Sequence, residues 1–219
     1  MDPLLTANLI DVFAVMMLLL SLLAMATTRI GQLITAFTLQ SLALTALAVT
    51  VAASTGHSEM YIMAAITLSV KVVIIPGFMR YMVDKVKIGR ALDPSIGIPG
   101  SLLLSAILIT VAYFVTQPLM ENVETITRDC LAISLSIVFI GLFMMTTRRK
   151  ALTQAVGLLM MENGLFLGVM SISYGMPLII EMGIFFDVLM ATVIIGLFVF
   201  RISEAFASSD TSLMRRLKD

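Results

Sequence analysis

Seven stretches of this chain are apolar for long enough to cross a lipid bilayer as helices, and that property decides most of what it can fold into. A helical span needs about 20 mostly apolar residues to traverse roughly 30 Å of hydrocarbon, with each backbone polar group paired inside the helix. The stretches run approximately Leu4 to Ala26, Gly31 to Ser54, Glu59 to Met82, Gly100 to Leu119, Cys130 to Met145, Ala151 to Tyr174 and Pro177 to Phe200. Strand alternation is absent, which argues against a β-barrel. Composition agrees. Of 219 residues, 59% are hydrophobic and 13% charged, and a soluble core of this size cannot hide a mean hydropathy of +1.05. A soluble enzyme, a disordered tail and a nucleic-acid binder are excluded. The expected fold is all-α: a polytopic membrane helix bundle of about seven transmembrane helices.

The basic residues orient it. Arg29 follows the first span; Arg80, Lys85, Lys87 and Arg90 close the third; Arg148, Arg149 and Lys150 follow the fifth; Arg201, Arg215, Arg216 and Lys218 follow the seventh. Of the 14 Lys and Arg, only Arg128 falls on the opposite side, and Lys71 lies inside a span. The positive-inside rule puts the N-terminus outside and the C-terminus in the cytoplasm, which an odd number of spans requires. Met1-Asp2-Pro3 lacks a basic leader, so the first apolar run reads as a span and not a signal peptide. Residues 1–120 are expected to form a four-helix membrane part with a cytoplasmic loop at 83–99. Residues 121–200 form a three-helix part, and 201–219 a cytoplasmic tail. The loop, with Gly89, Gly97 and the Asp93-Pro94 turn signal, reads as a docking surface or a solvated connector. One cysteine, Cys130, and one histidine, His57, give neither a disulfide nor a metal cluster, so no cofactor is expected in this chain. The 18 methionines read as adaptable packing, not as copper ligands.

A charge near the bilayer centre costs about 2.5–3.5 kcal/mol on insertion scales, so one that persists there faces protein or water. Lys71 is midway along the third span, Glu162 midway along the sixth and Asp187 near the middle of the seventh. These three share a depth to within about one helical turn. Asp11 sits slightly above that plane, and Glu181 lies about 9 Å nearer the outer face than Asp187. Together they are candidates for a hydrated proton pathway, because burial and pairing act oppositely on an ionisable group and can bring it near its titration point. The alternative is a set of structural ion pairs and interhelical hydrogen bonds. Pro76, one turn past Lys71, deprives the Val72 carbonyl of its helical partner, so a kink or opening is expected beside the lysine. Gly157, Gly164 and Gly168 fall within a stripe about 40° wide, with Glu162 about 140° away, and are expected to pack against a neighbouring helix.

Lys71-Val72-Val73-Ile74-Ile75-Pro76, Leu158-Leu159-Met160-Met161-Glu162-Asn163-Gly164, the run from Pro177 to Asp187, and Gln40-Ser41-Leu42 together resemble the hydrogenase-4 component E family. That family supplies a membrane subunit of formate hydrogenlyase-type, complex-I-like assemblies, and the likeness covers essentially the whole chain. The last three spans also resemble the K-type subunit of complex I and the C subunit of Mrp antiporters. There the K-type pattern has glutamate directly after Gly-Leu, whereas this chain has Gly157-Leu158-Leu159 and its carboxylate about one turn later at Glu162. The resemblance implies a prokaryotic plasma (inner) membrane subunit that is not catalytic alone. Its implied partners are antiporter-like membrane subunits, and indirectly cytoplasmic subunits holding nickel–iron and iron–sulfur centres. Proton translocation through Lys71, Glu162 and Asp187 is the leading expectation. A purely structural anchor, a stand-alone ion-coupled transporter and a retinal-type photoreceptor are the alternatives. The last two are disfavoured by the single proline-interrupted span without a repeat partner, and by the absence of Trp.

Overall fold

The computed structural model describes residues 3–56, 58–85, 96–120 and 130–172, and everything described is helix or short connection. Helices α1 (Pro3–Ala26) and α2 (Ile30–Thr55) form an antiparallel pair. Helix α3 (Ser58–Thr67) passes through a π-helical segment (Leu68–Ile74) into α4 (Ile75–Lys85), so that three pieces make one span. Helices α5 (Ile98–Met120), α6 (Cys130–Thr147) and α7 (Ala151–Ile172) complete the bundle. Among the described residues, six segments are long and apolar enough to cross a membrane. The expected seventh span, Glu181 and Asp187 within it, the tail at 201–219, Arg128 and most of the loop at 83–99 lie outside the described residues.

Local chemistry sets the ends of these helices. Gly56 closes α2 in the left-handed region (φ 75°), donating its N–H to the Ala52 carbonyl at 2.9 Å; an L side chain is disfavoured there. At the end of α1, the Thr27 hydroxyl donates to the Leu23 carbonyl at 2.7 Å. Before Pro76 the chain opens without breaking. The Ile75 N–H reaches five residues back to the Val70 carbonyl, a wide turn that absorbs the donor proline removes. The opening expected from the sequence is therefore a stretch of π-helix.

Water cannot drive these helices together inside lipid, so close backbone approach must. Helices α6 and α7 make the most extensive contact. A Cβ on Gly141 would stand 2.8 Å from both the Gly157 carbonyl and the Met161 nitrogen. On α7, a Cβ on Gly164 would stand 3.0 Å from the Ser134 carbonyl, and one on Gly168 2.9 Å from the Ser134 hydroxyl. Most of these neighbours are backbone atoms, which cannot rotate away. Helix α5, by contrast, leaves Leu103 67% and Phe114 66% exposed, an outer surface suited to lipid or another subunit.

The interior is stratified. One apolar cluster joins Met25, Leu33, Phe37, Met79, Met144 and Val156 at the end where Arg29 and Arg148 lie. A second joins Ile10, Met17, Leu47, Met63, Ile137 and Leu167 toward the opposite end. Along α2, the π-helical span and α7, the segments belonging to the two clusters are separated by residues 40–41, 71 and 162–163, which are all polar.

Candidate functional site: a buried lysine–glutamate pair

That polar layer is centred on Lys71, whose side chain is fully buried in the π-helical segment. Its Nζ lies 3.4 Å from Glu162 Oε2, and Glu162 is itself 3% exposed. The ammonium also donates to Asn163 Oδ1 at 3.2 Å and stands 4.5 Å from the centre of the Phe166 ring. Glu162, Asn163 and Phe166 occupy neighbouring positions of α7, so one turn of that helix surrounds the lysine. The face of the ring favours a cation, by about 2 kcal/mol when desolvated.

Behind Lys71 the hydrogen bonds run in one direction. The Asn163 amide donates to Gln40 Oε1 at 3.2 Å and to the Ser41 hydroxyl at 3.0 Å. The Gln40 amide donates to the Ser21 hydroxyl at 2.7 Å, and Ser21 donates to the Met17 carbonyl at 2.9 Å. Every group here is buried, and each amide is held so that the Asn163 carbonyl points at the lysine. A primary amide offers an acceptor oxygen and donor hydrogens but does not titrate at ordinary pH. The cascade therefore fixes Lys71 opposite the Glu162 carboxylate.

Other candidates are placed differently. Asp11 lies on the exposed side of α1 beside Val12, Val15, Met16 and Leu19. Pro76 directly follows the first residue of α4, and Gly157, Gly164 and Gly168 face α6. Asn163, Gln40, Ser41, Ser21 and Phe166 did not stand out as site residues in the sequence; the available signal was uncharged polar groups near the middle of apolar spans. Among the described residues, no three His, Cys, Asp or Glu side chains gather as a metal site would require.

A second buried cation lies at the end of the bundle. Arg148, between α6 and α7, is 3% exposed. Its Nη2 donates to the Met25 carbonyl at 2.7 Å and the Thr27 carbonyl at 3.3 Å, placing positive charge at the C-terminus of α1. Nε and Nη1 are buried without a hydrogen-bond partner among the described residues, and desolvation pulls the guanidinium below its ordinary pKa.

The sequence is similar to those of several known proteins. The chain is 26% identical to hydrogenase-4 component E of Escherichia coli K12 over 179 residues, 82% of this chain and 83% of that one. The counterpart in Shigella flexneri matches equally. An uncharacterized protein of Mycobacterium tuberculosis is 35% identical over 130 residues, and the match spans 59% of each chain. No family model and no solved structure gives a significant match. The similarity to hydrogenase-4 component E is distant, and it extends over most of both chains.

Proposed function

We propose that this chain is a non-catalytic membrane subunit of a complex-I-like hydrogenase of the formate hydrogenlyase type, anchoring the assembly and contributing to proton translocation. The observation that carries the proposal is the contact pair of Lys71 and Glu162, buried near the middle of two separate spans. A structural ion pair can often be replaced by apolar side chains at no loss of stability, so retaining one here favours a use for its protons. Similarity to hydrogenase-4 component E over 82% of the chain supports the setting. Redox centres, nickel–iron and iron–sulfur, belong to partner subunits in this reading. The seventh span, with the N-terminus outside and the C-terminus in the cytoplasm, completes the topology and carries Asp187 and Glu181 as further stations, with Asp11 on α1.

The elementary step is a proton moving between Lys71 Nζ and the Glu162 carboxylate. It converts ammonium and carboxylate into amine and carboxylic acid, and back. Either form leaves no net charge in the layer, so the desolvation cost of moving one charge alone is avoided. A change in electrostatic potential from a neighbouring subunit would bias the pair, and Asn163 would hold the lysine in place through both states.

Glu162→Gln tests this in the intact assembly. Hydrogen oxidation with a dye acceptor should persist while coupled proton movement into membrane vesicles falls at least tenfold. The structural-anchor reading also has an observation in its favour, the fixed amide cascade behind Lys71. It predicts that the apolar pair Lys71→Met with Glu162→Leu leaves proton movement unchanged, a result that would overturn the proposal.

A further inference from the structure

A groove of about 710 Å³ opens at the basic end of the bundle, bounded by the end of α1, the first turns of α2 and the last turns of α4. Its rim carries Arg29, Gln32, Arg80 and Asp84, while Leu23, Ile34 and Leu39 line its walls. Arg80 Nη2 donates to the Thr35 hydroxyl at 3.4 Å, which keeps its guanidinium on the groove side of α4. From Ile30 to Leu39 α2 rises nine residues, about 14 Å along the axis. The groove therefore runs from the ends of the spans into hydrocarbon depth. Leu23 (55%) and Leu39 (45%) are left exposed along it.

We infer that this groove binds an anionic phospholipid, its phosphate between Arg29 and Arg80 and an acyl chain along Leu23 and Leu39. Charge and depth select this occupant together. The two arginines at the rim, Arg29 and Arg80, favour a lipid with an anionic headgroup such as phosphatidylglycerol. The first turn of α2 adds backbone N–H groups and the positive end of its dipole. A peptide loop reaching Leu39 would carry unsatisfied backbone groups into the hydrocarbon region, whereas an acyl chain carries none. Basic pockets between membrane helices hold anionic headgroups through these same interactions. This site is separate from the Lys71–Glu162 layer and does not depend on the proton reading.

The test uses the full chain purified in mild detergent and stripped of lipid, then titrated with phosphatidylglycerol, phosphatidylcholine or inorganic phosphate while bound lipid is counted by native mass spectrometry. Phosphatidylglycerol should bind at least tenfold more tightly than phosphatidylcholine. Each arginine removed, in Arg29→Gln and Arg80→Gln, should weaken it about fivefold. Arg149→Gln, an exposed basic residue at the same end but outside the groove, should change nothing. Leu39→Trp leaves both arginines in place and fills the apolar wall, so it should displace the lipid as well. Equal binding of the two lipids, undiminished binding by the double arginine variant, or full competition by inorganic phosphate would each overturn the inference.

Discussion

Two cations are buried in this bundle, and they are compensated in different ways. Lys71 sits between the two apolar clusters against a carboxylate, an amide and an aromatic face. Arg148 sits at the end of the bundle, and its guanidinium donates to the carbonyls of Met25 and Thr27. The difference is chemical. Backbone carbonyls cannot take a proton, and a guanidinium does not give one up near neutral pH, so Arg148 is a fixed charge that ties α1 to the α6–α7 connection. Lys71 and Glu162 instead face each other as an amine-type cation and a carboxylate, the pair the proposed relay would use. One site is a clamp and the other is a candidate relay.

Four substitutions press on that contrast. The largest effect is expected for Glu162→Leu, which strands the ammonium in the core and should cost about 3–5 kcal/mol. Adding Lys71→Met should recover most of it, measured as unfolding of the detergent-solubilised protein. Next is Gly141→Val, which drives a side chain into the backbone of α7 at Gly157 and Met161 and should cost about 3 kcal/mol. It displaces the helix that carries Glu162, so proton movement should fall with stability. Asn163→Leu removes the acceptor for Lys71 and the donor for Gln40 and Ser41, a loss of about 2 kcal/mol by the same assay.

Arg148→Met should be mildest, about 1 kcal/mol, because it frees two carbonyls but also removes two unpaired buried nitrogens. Its pH dependence is informative. Burial lowers the folded-state pKa of Arg148, so the unfolded chain binds more protons only in the alkaline window between the two values. Stability rises with pH inside that window and is flat below it. The difference between wild type and Arg148→Met should accordingly be the same at about pH 6 and about pH 8, and a difference that changes between them would make Arg148 part of a titrating network.

Much of this was legible in the sequence because lipid imposes a simple rule on length and polarity. The described helices begin and end within a few residues of the apolar runs, from α1 at Pro3–Ala26 to α7 at Ala151–Ile172. Lys71 and Glu162 stood out because ionisable groups in apolar runs are costly. Sequence gives depth along a helix far better than which neighbour a residue faces. Asn163 and Gln40 were visible as polar residues at the right depth, but their alignment into one cascade depends on how α2, α7 and the π-helical segment are rotated. The partner of the glycine stripe was hidden for the same reason, since Gly141 stands alone on α6 and its role appears only across the α7 backbone. Arg148 read as one base among three in a loop, and only packing carries it inside.

The claim that most needs a direct measurement is that Glu162 changes its protonation during turnover. Infrared difference spectroscopy on the membrane-embedded assembly, switched between hydrogen-reduced and oxidised states, reports carboxyl protonation through the C=O stretch of the acid form. A relay through Glu162 gives a carboxylic-acid band that appears or vanishes with the redox switch, shifts in deuterium oxide and is missing in Glu162→Gln. A spectrum in which no such band depends on Glu162 would mean the carboxylate stays ionised beside Lys71, and the relay would be a structural ion pair.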